Sequence, residues 1–557
     1  MSELAGALGL GWRPNFSRQS LLDALPLIAI CLIPVLLYLP FLAAPFERDE
    51  GVYATMAQGL LDGRVPYRDL FDNKPPLVYG WYAFSFILFG EHVVAPRLIA
   101  SLLLSLTTLS LFGQARMIFP RGVAYLAAGL FALSTGLPFV ALHANTEAYM
   151  LLPLVTSLAA FTVGLRNSRL RPEGWASVRW FLLAGALGGL AMMTKQVAVW
   201  NLLALAAVAT WWRWRLGDTG WRMGQPALSL LVGAAVTTTV VAAPFAANGA
   251  LGDLLYASVL YNGLYVQVPT YGQRLANVAN GTLFFVVLAA PLVAGAVAGL
   301  FTVLRTKGRP VYIVLIVWAV ASVVGVASGG RFFPHYFLQL LPAMAVLAAL
   351  VIYDRFTNRD IRRIGKPALA LALSLVAISL ATNAILYLAP GPAEKRVAES
   401  VYQQKEWEGS SQALGAYIAE RTGPEDSIFN FGREAQIYFY AERRPAVRYF
   451  ADWPFWWDES TLYETMEALR ETKPLYIIDS IQLPLFAEEF ERYHPRVFMD
   501  FLSENYDYVG KVYFADVYRL KGSGAAPAAP QLWQAFGSPG VAALEFDPLV
   551  SQDDPLQ

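Results

Sequence analysis

Cysteine and charge are what this sequence has least of. One cysteine, Cys31, occurs in 557 residues, so neither an internal disulfide nor a cysteine-built metal site can form within one chain. The four histidines, His92, His143, His335 and His494, are scattered without HExxH or other paired spacing. Charged residues make up 15% of the chain, against roughly one quarter in soluble domains. Lys and Arg number 42 and Asp and Glu number 42, so there is no net basic excess of the kind that marks nucleic-acid binding. No internal repeat is visible. A small-residue cleavage site is also lacking behind the first apolar run, where Leu39-Pro40-Phe41 fits poorly, so an uncleaved first helix is expected.

What the chain has instead is apolar length. Runs long enough to cross a bilayer, roughly 17–25 residues, fall at 21–42, 94–114, 122–141, 148–165, 226–247, 279–304, 310–327, 334–353 and 367–389. The stretch 180–212 exceeds one crossing and is expected to split into two short helices near its lone charge, Lys195. This predicts a polytopic α-helical membrane protein of about eleven crossings. The segment 76–90 is apolar but short and rich in Tyr and Trp, and reads as an interfacial helix.

Basic residues alternate between loops. Arg13 and Arg18, Arg116 and Arg121, Arg166 to Arg179, Arg213 to Arg222, Arg305 to Arg309, and Arg355 to Lys366 all fall on one side. The positive-inside rule makes that side cytoplasmic, which puts the 47–93 loop and the C-terminal region outside a plasma (inner) membrane. After Ala389 the composition turns polar and aromatic. Strand-like runs at Ser427–Phe431, Pro445–Phe450, Leu475–Asp479 and Tyr508–Tyr518 alternate with helix-like stretches at Gln412–Arg421 and Ser460–Thr472. The expected division is a transmembrane domain over 1–390, an extracytoplasmic α/β domain over 391–521, and a loosely ordered Ala- and Pro-rich tail over 522–557.

The first external loop holds the densest charge in the first third of the chain. It reads ERDEGVYATMAQGLLDGRVPYRDLFDNKPPL from Glu47 to Leu77. Asp49 and Glu50 lie at one end of a short helix-and-turn, and Asp72, Asn73 and Lys74 at the other. A carboxylate here can activate a nucleophile, and a lysine can bind an anionic leaving group. The bland readings are an acidic cap on the following helix for Asp49 and Glu50, and a snorkelling interface lysine for Lys74.

The Asp-Glu pair after the first helix and the Lys-Pro-Pro-Leu element before an interfacial helix resemble the first external loop of the GT-C superfamily of glycosyltransferases. The similarity is to the bacterial branch related to dolichyl-phosphate-mannose protein mannosyltransferases and lipid A aminoarabinose or galacturonic acid transferases. It covers the order of elements over 1–390 and is strongest over 45–105. It implies transfer of a hexosyl or pentosyl group from a polyprenyl-phosphate-linked donor to a hydroxyl of a lipid, glycan or protein acceptor, outside the membrane. It further implies inversion by direct displacement, with Asp49 as base, Glu50 as a catalytic or supporting acid, and Lys74 on the lipid phosphate. Asn73 stands where many relatives carry an acid, which leaves a divalent metal as an open expectation.

Other external positions complete the candidate set. Glu147, in HANTEAYM, and Asp72 are acceptor or metal candidates; Glu147 sits at the outer start of a span, where an acid is costly without a role. Lys195 is a candidate second phosphate contact, and Arg331 and His335, in GGRFFPHYFLQLLP, are donor-pocket candidates by resemblance. Arg97 is expected to pair with the acidic loop. The loop 248–278, with Tyr256, Tyr261, Tyr265, Tyr271 and Arg274, is too aromatic for a plain linker and is expected to cover the site. The rival class is a polytopic transporter or flippase-like protein for lipid-linked glycans. It should show mid-membrane charges and repeat symmetry, whereas here the charges gather at the external ends of the spans.

Overall fold

The computed structural model describes residues 18–137, 143–170, 175–267, 270–305, 311–358, 407–481 and 494–523. The membrane part opens with α1 (Arg18–Tyr38). Two helices of the first loop follow, α2 (Arg48–Leu61) and α3 (Leu77–Phe89). Then come α4 (Val94–Ile118), α5 (Arg121–Ser134), α6 (Thr146–Leu170), α7 (Trp175–Thr194), α8 (Val199–Arg215) and α9 (Trp221–Ala247). The set closes with α10 (Tyr271–Leu288), α11 (Ala290–Arg305), α12 (Val311–Ala327) and α13 (Leu341–Asn358).

Among the described residues six helices are long and apolar enough to cross a membrane, or up to seven if the bent pair α10–α11 is one span. Helices are what such segments must form, because hydrocarbon offers their backbone groups no other partner. The chain is a multi-pass membrane protein. The single span expected over 279–304 is instead two helices meeting at 98°. The break falls at Ala289, which leaves helical geometry, and Pro291 sits in the first turn of the helix that follows, where its missing N–H removes no helical hydrogen bond. The expected division of 180–212 is present as α7 and α8, parted at Lys195. The run 367–389 and nearly all of the C-terminal tail lie outside the described residues.

Small residues allow the closest helix contact. A Cβ on Gly185 of α7 would lie 1.8 Å from the Leu230 carbonyl oxygen, and one on Gly233 of α9 would lie 2.0 Å from that of Leu182. The two backbones therefore meet through reciprocal glycines, the packing that helices adopt where no hydrophobic force drives them together.

The C-terminal part is an α/β domain. It comprises α14 (Trp407–Ala419), β1 (Ser427–Phe431), α15 (Gln436–Ala441), β2 (Arg444–Pro445), α16 (Glu459–Thr472), β3 (Tyr476–Asp479), α17 (Arg496–Asn505), β4 (Tyr506–Val512) and β5 (Ala515–Leu520). The sheet order is β2-β1-β3-β5-β4. Strands β1, β2 and β3 are parallel, and β5 runs antiparallel to β3 and β4. Ile428, Phe429, Ile477 and Ile478 have no exposed surface, as central parallel strands covered on both faces require. The strand-like run over 508–518 is in fact a hairpin turning near Tyr513, which takes φ 56°. Of the run over 445–450 only Pro445 is ladder-paired; the rest leads away from the sheet.

This domain packs on the first loop. The Tyr440 hydroxyl accepts a hydrogen bond from Phe46 N at 2.6 Å, and Thr55 Oγ1 donates to the Ala435 carbonyl at 3.3 Å. Gly51 admits the contact, since a Cβ there would lie 2.4 Å from Gln436 N. Arg448 ties three parts together. Its Nε donates to Tyr67 O at 2.7 Å, its carbonyl accepts from Phe71 N at 2.9 Å, and its guanidinium pairs with Asp253 at 3.0 Å and Glu464 at 3.3 Å.

Candidate active site

The N-terminus of α2 sends three consecutive side chains in three directions, as the roughly 100° step of an α-helix requires. Arg48 reaches the C-terminal domain, where it pairs with Glu434 at 3.0 Å. Glu50 turns inward and has no exposed surface. Its Oε1 accepts from Arg97 Nε at 3.0 Å and Ala144 N at 2.8 Å, and its Oε2 accepts from Arg97 Nη2 at 2.6 Å and Glu47 N at 3.2 Å. Burial pushes the Glu50 carboxyl up, but the facing Arg97 and His143 outweigh it and hold the group at about 2. Arg97 also donates to the carbonyls of Phe41 and Pro45 at 3.0 and 2.9 Å and to that of Ala44. The expected pairing of Arg97 with the acidic loop is thus present, and it clamps the turn that enters α2.

Asp49, between the two, is half-buried and makes no hydrogen bond or ion pair among the described residues. It lies within electrostatic reach of Lys74, Asp72, Lys195 and His335. The loop across from it is rigidly held. Asp72 is buried, accepting from Tyr79 Oη at 2.8 Å and Asn73 N at 2.7 Å. The Lys74 carbonyl accepts from Tyr67 Oη at 2.7 Å and Tyr79 Oη at 3.1 Å. The Lys74 ammonium donates to Asn73 Oδ1 at 2.8 Å. Burial pulls Lys74 down, yet Asp72 and Asp49 prevail and leave it above its ordinary value, so it stays charged. Burial pushes Asp72 up.

The remaining candidates gather on the opposite wall. Glu147, at the start of α6, forms a buried ion pair with Lys195 at the α7–α8 break. The Lys195 ammonium also sits 4.1 Å from the centre of the Tyr336 ring, a cation–π contact. His335 stacks beside Phe333 at 5.9 Å. Arg331 lies 4.9 Å over the Tyr265 ring, and it is through Tyr265, within reach of both Lys74 and Tyr336, that Arg331 joins the group. Glu147 and Lys195, read from the sequence as separate candidates, are each other's partners. Their spacing of 48 residues gave no signal of that.

Against the Asn73 loop and the C-terminal domain packs the segment 251–267, which includes a π-helical turn over Tyr256–Leu260. Asn262 donates to the Asn73 carbonyl at 2.8 Å, and Tyr256 Oη donates to Asp458 at 2.6 Å. Tyr265 packs edge-on against Trp457 at 5.0 Å. Asn73, Asn262, Tyr336 and Tyr79 were not singled out from the sequence as site residues. The Tyr-rich loop was the available signal for Asn262, but asparagines carry none of their own. Among the described residues no group of three or more His, Cys, Asp or Glu side chains is placed to hold a metal ion.

Residues 73–243 match the family model for dolichyl-phosphate-mannose-protein mannosyltransferase. The fold matches the crystal structure of ArnT from Cupriavidus metallidurans bound to undecaprenyl phosphate, with TM-score 0.57 and 17% identity over 92% of this chain and 100% of that one. The chain resembles the GT-C glycosyltransferases. The apo structure of the same ArnT matches with TM-score 0.58 and 17% identity over the same shares. No curated protein sequence matches the chain. The likeness to ArnT is one of fold, over 92% of this chain.

Proposed function

We propose that this protein transfers a sugar from a polyprenyl-phosphate donor to an acceptor hydroxyl, at the extracytoplasmic face of a plasma membrane. The observation that carries the reading is the state of Asp49. It is a half-buried carboxylate without a hydrogen bond, set between two lysines, on a helix end fixed by the Glu50–Arg97 pair. That Asp49 lies within electrostatic reach of Lys74 supports assigning them opposite roles.

In this reading the acceptor oxygen forms a bond to the anomeric carbon as the bond from that carbon to the phosphate oxygen breaks. Asp49 takes the acceptor proton, and polyprenyl phosphate leaves with the bonding electrons. Lys74 stabilises the charge on the departing phosphate, with Lys195, Arg331 and His335 as further contacts for it. One displacement inverts the anomeric centre and leaves no sugar on the enzyme. Glu50 acts as a positioning residue: its enclosure by Arg97 and two backbone amides supports a role in aiming Asp49. The binding of undecaprenyl phosphate by ArnT supports a lipid phosphate as the leaving group here, and the basic-loop asymmetry supports an external site.

The test is consumption of a panel of polyprenyl-phosphate hexoses and pentoses by the purified chain in lipid nanodiscs. Wild type should release polyprenyl phosphate from at least one donor. Lys74→Ala should lower that rate by about 100-fold or more, in keeping with loss of an electrostatic contact to developing charge. No release from any donor would overturn the reading.

A further inference from the structure

The carboxyl ends of the three parallel strands of the C-terminal domain converge on one place. After β1 come Gly432, Arg433 and Glu434; after β2 the chain reaches Asp452; after β3 comes Ser480. Asp452 N donates to Gly432 O at 3.1 Å and Ser480 N to Phe431 O at 3.0 Å. From β1 the chain crosses to β2 on one side, and from β2 it passes β1 to reach β3 on the other. The crevice between β1 and β3 is therefore the point of reversal where open α/β sheets bind their ligands.

The side chains there are not those of a plain core. Ser480 donates to Glu434 and to Asn430, each at 2.8 Å, and Glu434 receives Arg48 from the first loop. Asp452 is almost wholly buried, yet its Oδ1 has no hydrogen-bond partner among the described residues. Its closest cation, Arg433, stands 3.7 Å away, beyond hydrogen-bond reach. Arg433 in turn lies 4.3 Å over the ring of Trp456 and is 43% exposed. A buried carboxylate oxygen without a hydrogen bond calls for an explanation, and here the nearest cation is a partly exposed arginine on an aromatic platform.

We infer that Arg433, Asp452 and Trp456 form a saccharide subsite that holds the acceptor of the transfer reaction. This rests on the glycosyltransferase reading and adds the acceptor's chemical class to it. Arg48 bridges the two places, since it adjoins Asp49 in sequence and pairs with Glu434 next to Arg433. A sugar ring offers an apolar face to Trp456 and vicinal hydroxyls to the acid and the guanidinium. Burial pushes Asp452 up to about 7, so near neutrality it alternates between donor and acceptor. A hydroxyl, which can do both, satisfies it in either state.

The experiment applies the full chain, in detergent, to a printed array of bacterial oligosaccharides and Ser/Thr-containing peptides. Undecaprenyl-phosphate binding is measured in parallel on the same samples. Wild type should retain a subset of the glycans. Arg433→Ala should weaken retention at least tenfold, and Asp452→Asn and Trp456→Ala likewise, while lipid-phosphate binding within twofold of wild type shows that each variant is folded. Retention of peptides and not glycans, no glycan retained by wild type, or Arg433→Ala binding glycans as wild type does would each overturn the subsite. Loss of undecaprenyl-phosphate binding by wild type with glycans still held through Arg433 would instead count against the donor reading and leave the subsite standing.

Discussion

Replacing Arg97 by methionine isolates the interaction on which the geometry of α2 depends. The substitution keeps most of the side-chain volume but deletes both charge-assisted hydrogen bonds to Glu50, at 3.0 and 2.6 Å. Glu50 stays enclosed with the amides of Ala144 and Glu47 as donors and His143 beside it, and the carbonyls of Phe41, Ala44 and Pro45 lose the guanidinium. Removing one partner of a buried pair costs about 3–5 kcal/mol, because an uncompensated charge remains. Here the freed carbonyls put the expectation at the upper end. The assay is reversible unfolding in mixed micelles of increasing SDS fraction. A double variant, Arg97→Met with Glu50→Met, removes the stranded charge and should recover part of the loss, giving a coupling of about 1–3 kcal/mol. An Arg97→Met cost below about 1 kcal/mol, or a double variant less stable than the single, would refute the claim that this pair holds the helix end.

The same pair sets an acid limit. The folded-state value of Glu50, about 2, lies below the ordinary value of about 4.3. Its stabilisation is therefore complete above that ordinary value and is lost as pH falls through about 2; the amount is on the order of 3 kcal/mol. Acid unfolding of wild type should steepen over that window, and the Glu50→Gln variant should lack that part of the slope. Gly51→Ala should loosen the C-terminal domain from the first loop, since the added Cβ would meet the backbone at Gln436 within 2.4 Å. Limited proteolysis should then cleave between the membrane part and residue 407 faster than in wild type, with the helices intact.

How much was legible beforehand differs by kind of feature. Local signals read well. Ser427–Phe431 is β1 as expected, the Leu475–Asp479 run contains β3, and 76–90 contains the short helix α3. The Asp-Glu pair and Lys74 were recognisable because charge stands out in an apolar chain, and Asp49 lies within electrostatic reach of Lys74. Pairing across the chain was not legible. Nothing local says that Glu50 turns to Arg97 while Asp49 stays open, because one helical step separates the two fates. Nor does apolar periodicity reveal a 98° bend, which depends on what the two halves pack against. The reversal site at β1 and β3 escaped for the same reason. Its residues come from three strand ends that only the sheet assembles.

The most direct test of the account is the rate of sugar transfer by Asp49→Asn, measured with the donor that wild type consumes. The substitution keeps shape and removes the base, so a general-base role predicts a fall of about 10²–10⁴, with undecaprenyl-phosphate binding and unfolding unchanged. Transfer at the wild-type rate would contradict the assignment of Asp49 and, with it, the proposed chemistry of the cleft.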